Sequence, residues 1–419
     1  VTVSETLSTE ERNLVADTTR EALAATEAHV RRQAFAGYDP YDALMSPLFR
    51  LPLLRSSHYA RMAAQQALKR LPVNLRPLLG IGKHESAVTY ARMLEGFAHL
   101  SASDPNQRDR YDETVNLCLR RLGEVRSHGY SGDCWGYEFD WEPRYARTPI
   151  PAGVPNIVAT GIVTNALFAT YRLLGIRSAF ESCASAVEFL FRDLERTPAD
   201  DGSFCWGYFP LDRQLVLNAT MKGARLCAQV FSVTRDADLL EAASATVRFV
   251  VTHQRSDGAW PYSVGDRRSW VDNFHTGYLL DCFHEYERLT GETAFAGAKE
   301  AGWRYFLRHF LTPAYAPKHF DQKAHPIDST ACAQTVTTLC TFGDVPAASR
   351  AALWTLENMR RADGGFFYQR HGRYTNRISY MRWSVAPMFS ALSRLLYTLE
   401  QSAPDTQRVS RGPDAGDHP

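Results

Sequence analysis

The sequence predicts an all-α fold, an (α/α)6 barrel or toroid of helical hairpins with a period of about 55 residues. Four glycine-centred turns share one pattern: Gly132-Asp133-Cys134-Trp135-Gly136-Tyr137, Asp201-Gly202-Ser203-Phe204-Cys205-Trp206-Gly207-Tyr208, Asp257-Gly258-Ala259-Trp260-Pro261-Tyr262 and Asp363-Gly364-Gly365-Phe366-Phe367-Tyr368. Each ends an amphipathic stretch. Beyond each, a second helix is expected to open at a polar residue, at Asn156, Asn218, Asn273, Asp328 and, ahead of Ile378, Asn376. The steps between these positions, 62, 55, 55 and 48 residues, suit two helices and their connections. Placing the segment at Asn218 on that at Asn273 also superimposes Cys227 on Cys282 and Phe231 on Tyr286.

In chain order, Thr9 to Arg32 reads as an amphipathic helix with Leu14, Leu23 and Val30 on its apolar stripe. Residues 1–80 are expected as N-terminal helices and an extension packed on the barrel, 81–400 as the toroid, and 401–419 as a disordered tail rich in Pro, Asp, Arg and Gly. Glu85 to His99 is the inner helix of the first unit. At each later start, the Asn or Asp oxygen is suited to accept from the orphan N–H groups of the first turn. The turn glycines suit left-handed caps, and the aromatics that follow suit packing against the barrel wall. Units of this length also build open solenoids. A closed ring is preferred because six units are about what a ring needs.

At 419 residues, 45% hydrophobic and 22% charged, the chain is long enough to bury a large core. A formal net charge of +1 supplies no global field for nucleic acid or an anionic membrane, so an anionic ligand requires local arginines. The eight cysteines form no C-x-x-C pair, which favours reduced thiols and a cytoplasmic location. No apolar leader opens the sequence, and no run of about 18 apolar residues is evident, so no transmembrane segment is expected.

The loops after the turns are long and crowded with aromatic and polar residues, and a toroid brings them to one mouth. The expected catalytic candidates are Asp272, His275, Asp328, Asp133, Asp140, Tyr278 and Tyr380. The expected substrate-binding residues are Trp135, Tyr137, Trp141, Arg144, Asn156, Trp206, Tyr208, Asn218, Lys222, Trp270, Asn273, Arg377, Arg382 and Trp383. This mixture suits a sugar: flat rings stack on a pyranose face, while carboxylates, amides and arginines bind hydroxyl and carboxylate groups. His275, close to Asp272, is a proton-transfer candidate because imidazole titrates near neutrality; a structural histidine is the alternative. His319, Asp321 and His325 match no strong metal-ligand spacing, so neither a metal nor a cofactor is expected.

Several segments carry a resemblance that spans Gly37 to Leu396. They are GYDPYDAL at 37–44, NLRPLLGI at 74–81, CWGYEFDW at 134–141, PNIV at 155–158, LNATMKGARL at 217–226, SWVDNFHTGYLLDC at 269–282, HPIDSTACAQ at 325–334 and YMRWSVAPMFSAL at 380–392. In these the chain resembles the VpsJ-like proteins of exopolysaccharide biosynthesis, which implies a saccharide or lipid-linked saccharide substrate and a polysaccharide assembly complex as partner. More locally, Phe249 to Trp260 is similar to the QW motif of class II terpene cyclases, although Ala245 and Thr246 depart from its opening positions. Asp328, in His325 to Ala331, matches one carboxylate of the acid motif of those cyclases. The resemblance implies kinship of fold.

The leading expectation is a carbohydrate-active protein of exopolysaccharide biosynthesis or modification. In fold class it resembles uronate C5-epimerases and polysaccharide lyases, which implies proton abstraction alpha to a carboxylate. Arg377, Arg382 or Arg144 would then clamp, and His275, Tyr278 or Tyr380 would move the proton. Alternatives are glycoside hydrolysis by a pair among Asp133, Asp140, Asp272 and Asp328, terpenoid cyclisation by Asp328, and non-catalytic glycan binding or scaffolding.

Overall fold

The structure, a computed structural model, describes residues 6–143 and 149–401. Six helices form an inner ring: α4 (Ala87–Ser103), α6 (Ile157–Leu174), α8 (Leu217–Thr234), α10 (Asn273–Thr290), α12 (Ser329–Thr341) and α14 (Ala386–Gln401). Each packs on the next, and α14 packs on α4, so the ring closes. Outside five of them lie α5 (Arg108–Glu124), α7 (Arg177–Asp193), α9 (Ala237–Thr252), α11 (Ala296–Phe310) and α13 (Val345–Met359). The sequence marks the two classes differently. The inner α4 is buried nearly all round, whereas the outer α5 buries only Thr114, Val115, Cys118 and Leu122, one stripe at helical spacing.

The sixth inner helix finds its outer partner at the other end of the chain. α1 (Thr9–Arg32) packs on α13 and α14, and Arg12 Nη1 donates to the Leu399 carbonyl at 2.7 Å. Leu23 and Val30 are buried in that contact as the periodicity predicts, but Leu14 is exposed and Val15 takes its place. Residues 33–80 include α2 (Pro52–Ser56) and α3 (His58–Arg70), and Tyr41 and residues of α3 line the cavity at the barrel mouth described below. Of the expected tail only Gln401 is described, and it ends α14.

Three of the five expected helix openings differ. Asn156 caps α6 by accepting from Ala159 N, and Asp328 caps α12 by accepting from Thr330 N. At α10 the cap is Asp272 rather than Asn273, while Asn218 lies inside α8, which has no side-chain cap. Asn376 caps no helix. Its amide donates to the Leu71 carbonyl, and α14 follows a π-type turn at Met381–Val385. Among the described residues one helix, Ile157–Leu174, is long and apolar enough to cross a membrane, yet it is α6, mostly buried in the ring. All eight cysteines are free and buried.

A recurrent hydrogen bond ties each unit to the next at the mouth. The N–H of the first residue of an inner helix donates to a carbonyl in the following loop: Ile157 to Tyr208, Leu217 to Tyr262, Asn273 to His319 and Ser329 to Tyr368. These are N–H groups that a helix start leaves orphaned. Short ladders reinforce them, Leu215–Val216 with Ser263–Val264 and Ile327–Asp328 with Gln369–Arg370.

Candidate functional site

Those loop residues converge on a cavity of about 930 Å³, lined by Tyr208, Tyr262, His319 and Tyr368 together with Tyr137. The turn pattern thereby splits into two roles. Its Trp or Phe, at 135, 206, 260 and 366, is buried in the wall. The Trp135 and Trp260 indoles donate to the Leu122 and Val250 carbonyls of the preceding outer helices. Its Tyr, two residues on, faces the cavity. Gly136 and Gly207 permit the change of direction: a Cβ there would stand 2.2 Å from the Val154 carbonyl oxygen and 2.1 Å from that of Asp212.

At the start of α10, Asp272 organises part of the cavity. Its Oδ1 accepts from His275 N at 3.0 Å, while Oδ2 lies 2.6 Å from His275 Nδ1 and accepts from Trp270 Nε1 at 3.0 Å. Burial raises the Asp272 carboxyl, but the His275 imidazole and its hydrogen bond outweigh this and hold it below the usual carboxylate range. An ionised carboxylate only accepts, so Nδ1 of His275 carries the proton and Nε2 is left as the basic nitrogen. Trp270 stacks on Tyr262 with centroids 4.8 Å apart, and Phe274 stands between His275, at 4.2 Å, and His319, at 5.5 Å.

Asp328, at the start of α12, is arranged in a comparable way. Its carboxylate accepts from Thr330 N at 2.9 Å, Gln369 Nε2 at 2.7 Å and Trp383 Nε1 at 3.1 Å. Arg382 is also in the cavity but is held by Asp39, with Nε 2.5 Å from Oδ2 and Nη2 2.8 Å from Oδ1. Its guanidinium lies 4.9 Å from the Tyr137 ring centroid. Below, Arg92 pairs with Glu95 at 3.0 Å, and Tyr278 lies between Arg92 and Lys222, whose Nζ is 3.9 Å from the ring centroid.

Of the predicted residues, the cavity gathers Asp272, His275, Asp328, Tyr278, Tyr137, Trp141, Tyr208, Asn218, Trp270, Arg382 and Trp383. The others lie elsewhere. Asp133 is turned to the outer wall, bonded to Arg126 and Ser182. Asp140 accepts from Ala152 N at an exposed position. Trp135 and Trp206 are wall residues, Asn156 is a buried cap, and Asn273 bonds Thr335 across the ring. Lys222 is buried among the inner helices under Tyr278, Tyr380 packs on Tyr368 behind the cavity, and Arg377 borders a separate small pocket. Arg144 lies outside the described residues. His319 is in the cavity wall, Asp321 accepts from Tyr305 and His325 lies beside Gly372, so the three do not form one cluster.

Cavity residues outside the predicted set include Tyr41, Lys69, Arg92 and Tyr262. Tyr262 holds the same place in the turn pattern as Tyr208, so the repeat contained the signal. Arg92 and Glu95, three apart, are charges inside a mostly apolar inner helix, which was a second signal. Tyr41 and Lys69 come from the extension, outside any repeat.

Comparison with protein-family models gives no match for this sequence, and comparison with curated proteins gives none. Solved structures do resemble it. Cellobiose 2-epimerase from Bacillus thermoamylovorans superposes with a TM-score of 0.59 at 12% identity, covering 76% of this chain and 90% of that one. A family 76 glycoside hydrolase (mannosidase) from Bacteroides thetaiotaomicron gives 0.58 at 10% identity, covering 95% and 100%. Cellobiose 2-epimerase from Spirochaeta thermophila gives 0.56 at 14%, covering 76% and 86%. At these identities the likeness shows the shared (α/α) toroid fold alone.

Proposed function

We propose that the chain is a carbohydrate-active enzyme of the epimerase type, moving a proton on a saccharide held in the cavity. The observation that carries this reading is the Asp272–His275 pair, 2.6 Å apart in an aromatic-lined cavity. An imidazole whose Nδ1–H is fixed by a buried carboxylate presents Nε2 as a base. Epimerisation needs proton transfer on two faces of one carbon, and His319, beyond Phe274, supplies the second imidazole. The epimerases and hydrolase of the same fold, which act on saccharides by their names, support the substrate class.

The charges favour a neutral sugar over a uronate. Arg92 and Arg382 already face Glu95 and Asp39, so neither is a ready clamp for a substrate carboxylate. Their presence, with Lys69 and Arg268, favours a saccharide over an isoprenoid and so disfavours cyclisation by Asp328. Hydrolysis is the second reading, favoured by one observation: Asp272 and Asp328 both line the cavity, each taking an indole N–H. The setting we propose is exopolysaccharide biosynthesis in the cytoplasm, on a free or lipid-linked saccharide within an assembly complex. The VpsJ-like resemblance supports the first part, and eight free buried thiols support a reducing compartment.

The test is incubation with cellobiose and a manno-configured disaccharide in D2O. An epimerase incorporates deuterium at the carbon alpha to the carbonyl and inverts it, a lyase yields a new C=C absorbance, and a hydrolase releases monosaccharides. His275→Asn is expected to lower turnover by about 10²–10⁴-fold. Full activity in that variant, or saccharide binding without turnover in the unaltered protein, would overturn the proposal.

A further inference from the structure

The overall charge of +1 conceals a strong local asymmetry. From residue 43 to residue 84 the chain has no Asp or Glu and seven basic residues: Arg50, Arg55, Arg61, Lys69, Arg70, Arg76 and Lys83. The other 40 Lys and Arg of the chain therefore meet all 46 Asp and Glu. Arg61 and Arg76 are buried against Glu142 and Asp42, while Arg50, Arg55, Arg70 and Lys83 are exposed.

The same segment exposes apolar side chains that the core could have taken. Thirteen large hydrophobic residues are exposed among the described residues, and eight of them fall between Met45 and Leu78. Leu53 is 81% exposed, Leu78 84% and Leu51 54%. They are brought together in space as well as in sequence. Ser46 Oγ donates to the Leu79 carbonyl, and Pro47 lies against Gly80, which places the Leu48–Leu53 turn beside Leu78. Arg61 Nη1 bonds the Arg55 carbonyl and so ties α2 to α3. Neighbouring exposed leucines interleaved with arginines are the composition of an interfacial anchor: the apolar residues enter the headgroup boundary and the cations meet anionic lipid. A scattered surface leucine needs no explanation, but a concentration of them does.

We propose that residues 45–78 form a membrane-docking surface for an anionic bilayer. The partner is fixed by charge complementarity, since a segment with six Lys and Arg and no Asp or Glu, four of the cations not buried against a carboxylate, repels a second copy of itself and attracts acidic headgroups. α3 belongs to this segment and lends Gln65, Gln66, Lys69 and Arg70 to the cavity lining. Docking therefore sets the cavity at the lipid surface, where a saccharide carried on a lipid would be presented. This last clause rests on the proposed saccharide chemistry; the docking itself does not.

The test is sedimentation of the full chain with vesicles of phosphatidylcholine alone and of phosphatidylcholine mixed with phosphatidylglycerol. Binding to the mixed vesicles is expected to exceed binding to the neutral ones by about tenfold or more and to weaken with salt. Combined Leu48→Ser, Leu51→Ser, Leu53→Ser and Leu78→Ser should abolish it. So should Arg50→Glu with Arg55→Glu, and these exposed changes leave the ring intact by circular dichroism. Equal binding to both vesicles, no binding to either, or a self-association lost in the leucine variant without vesicle binding overturns the proposal. Turnover of soluble saccharide is read separately, so failure of docking and failure of the catalytic reading are distinguishable.

Discussion

Asp272 serves two purposes with one carboxylate, capping α10 through Oδ1 and orienting His275 through Oδ2. Single residues were legible in the sequence where chemistry and spacing coincide, as at Asp272 and His275, three apart at a helix start. They were not legible where only the path of a loop decides, which is why Asp133 and Asp140 face away. Two buried bases give opposite pH signatures. His84 lies 3.1 Å from Glu138 Oε1 and 3.6 Å from Asp42 Oδ2, held as ion pairs without aligned hydrogen bonds. Burial disfavours its charge, but Asp42 and Glu138 prevail and raise its pKa to about 9. Its contribution is thus complete below the ordinary imidazole value of 6.5 and is lost as pH rises through about 9. Denaturation midpoints of His84→Gln and the unaltered protein should converge above that pH; a constant difference from pH 6 to 10 would refute the pairing. Among the described residues no carboxylate forms an ion pair with Lys222, and burial, outweighing the charge of Asp281, lowers its pKa from 10.5 to about 7. Its penalty is complete below pH about 7 and relieved as pH rises toward 10.5, so Lys222→Met should stabilise most at neutral and acid pH, on the order of a few kcal/mol. Equal stabilisation at pH 6 and pH 10 would count against a desolvated amine.

At the scale of the element, the QW-like segment is a clamp between hairpins. The Gln254 amide donates to the Gly258 and Ala298 carbonyls, while the Trp260 ring lies where a Cβ on Gly302 would be, 2.1 Å from Cζ3. Its likeness to a cyclase motif is explained by this structural task, which fits the place of Trp260 in the wall. Gly302→Ala should overpack the contact and cost about 1–3 kcal/mol, read as a lowered urea midpoint; an unchanged midpoint would mean that Trp260 has another place to go. Helix starts were legible where a cap does the work, at Asn156 and Asp328. They were not at α8 and α14, where a short ladder and a π-type turn begin the helix instead.

For the whole molecule, the ring was legible because its inner helices repeat, and α1 was legible as a helix over Thr9–Arg32, but its place as the twelfth helix of the ring was not, because it lies outside the repeat and pairs with a helix more than 350 residues away. Arg20 Nη2 to Glu400 Oε1 at 3.0 Å and Arg12 to the Leu399 carbonyl fasten that pair. Removing residues 6–33 should uncover the apolar faces of α13 and α14, giving a protein that aggregates in size-exclusion chromatography and melts without cooperativity. A soluble truncation with an unchanged melting profile would show that α1 is ornamental. The pairing also dictates the order in which the molecule is completed during synthesis. α1 is synthesised before α14 and must wait for it, and α4 must wait for α14 as well. Until α14 emerges, the ring is an unclosed spiral with two greasy ends, the interval in which it most needs protection from its neighbours.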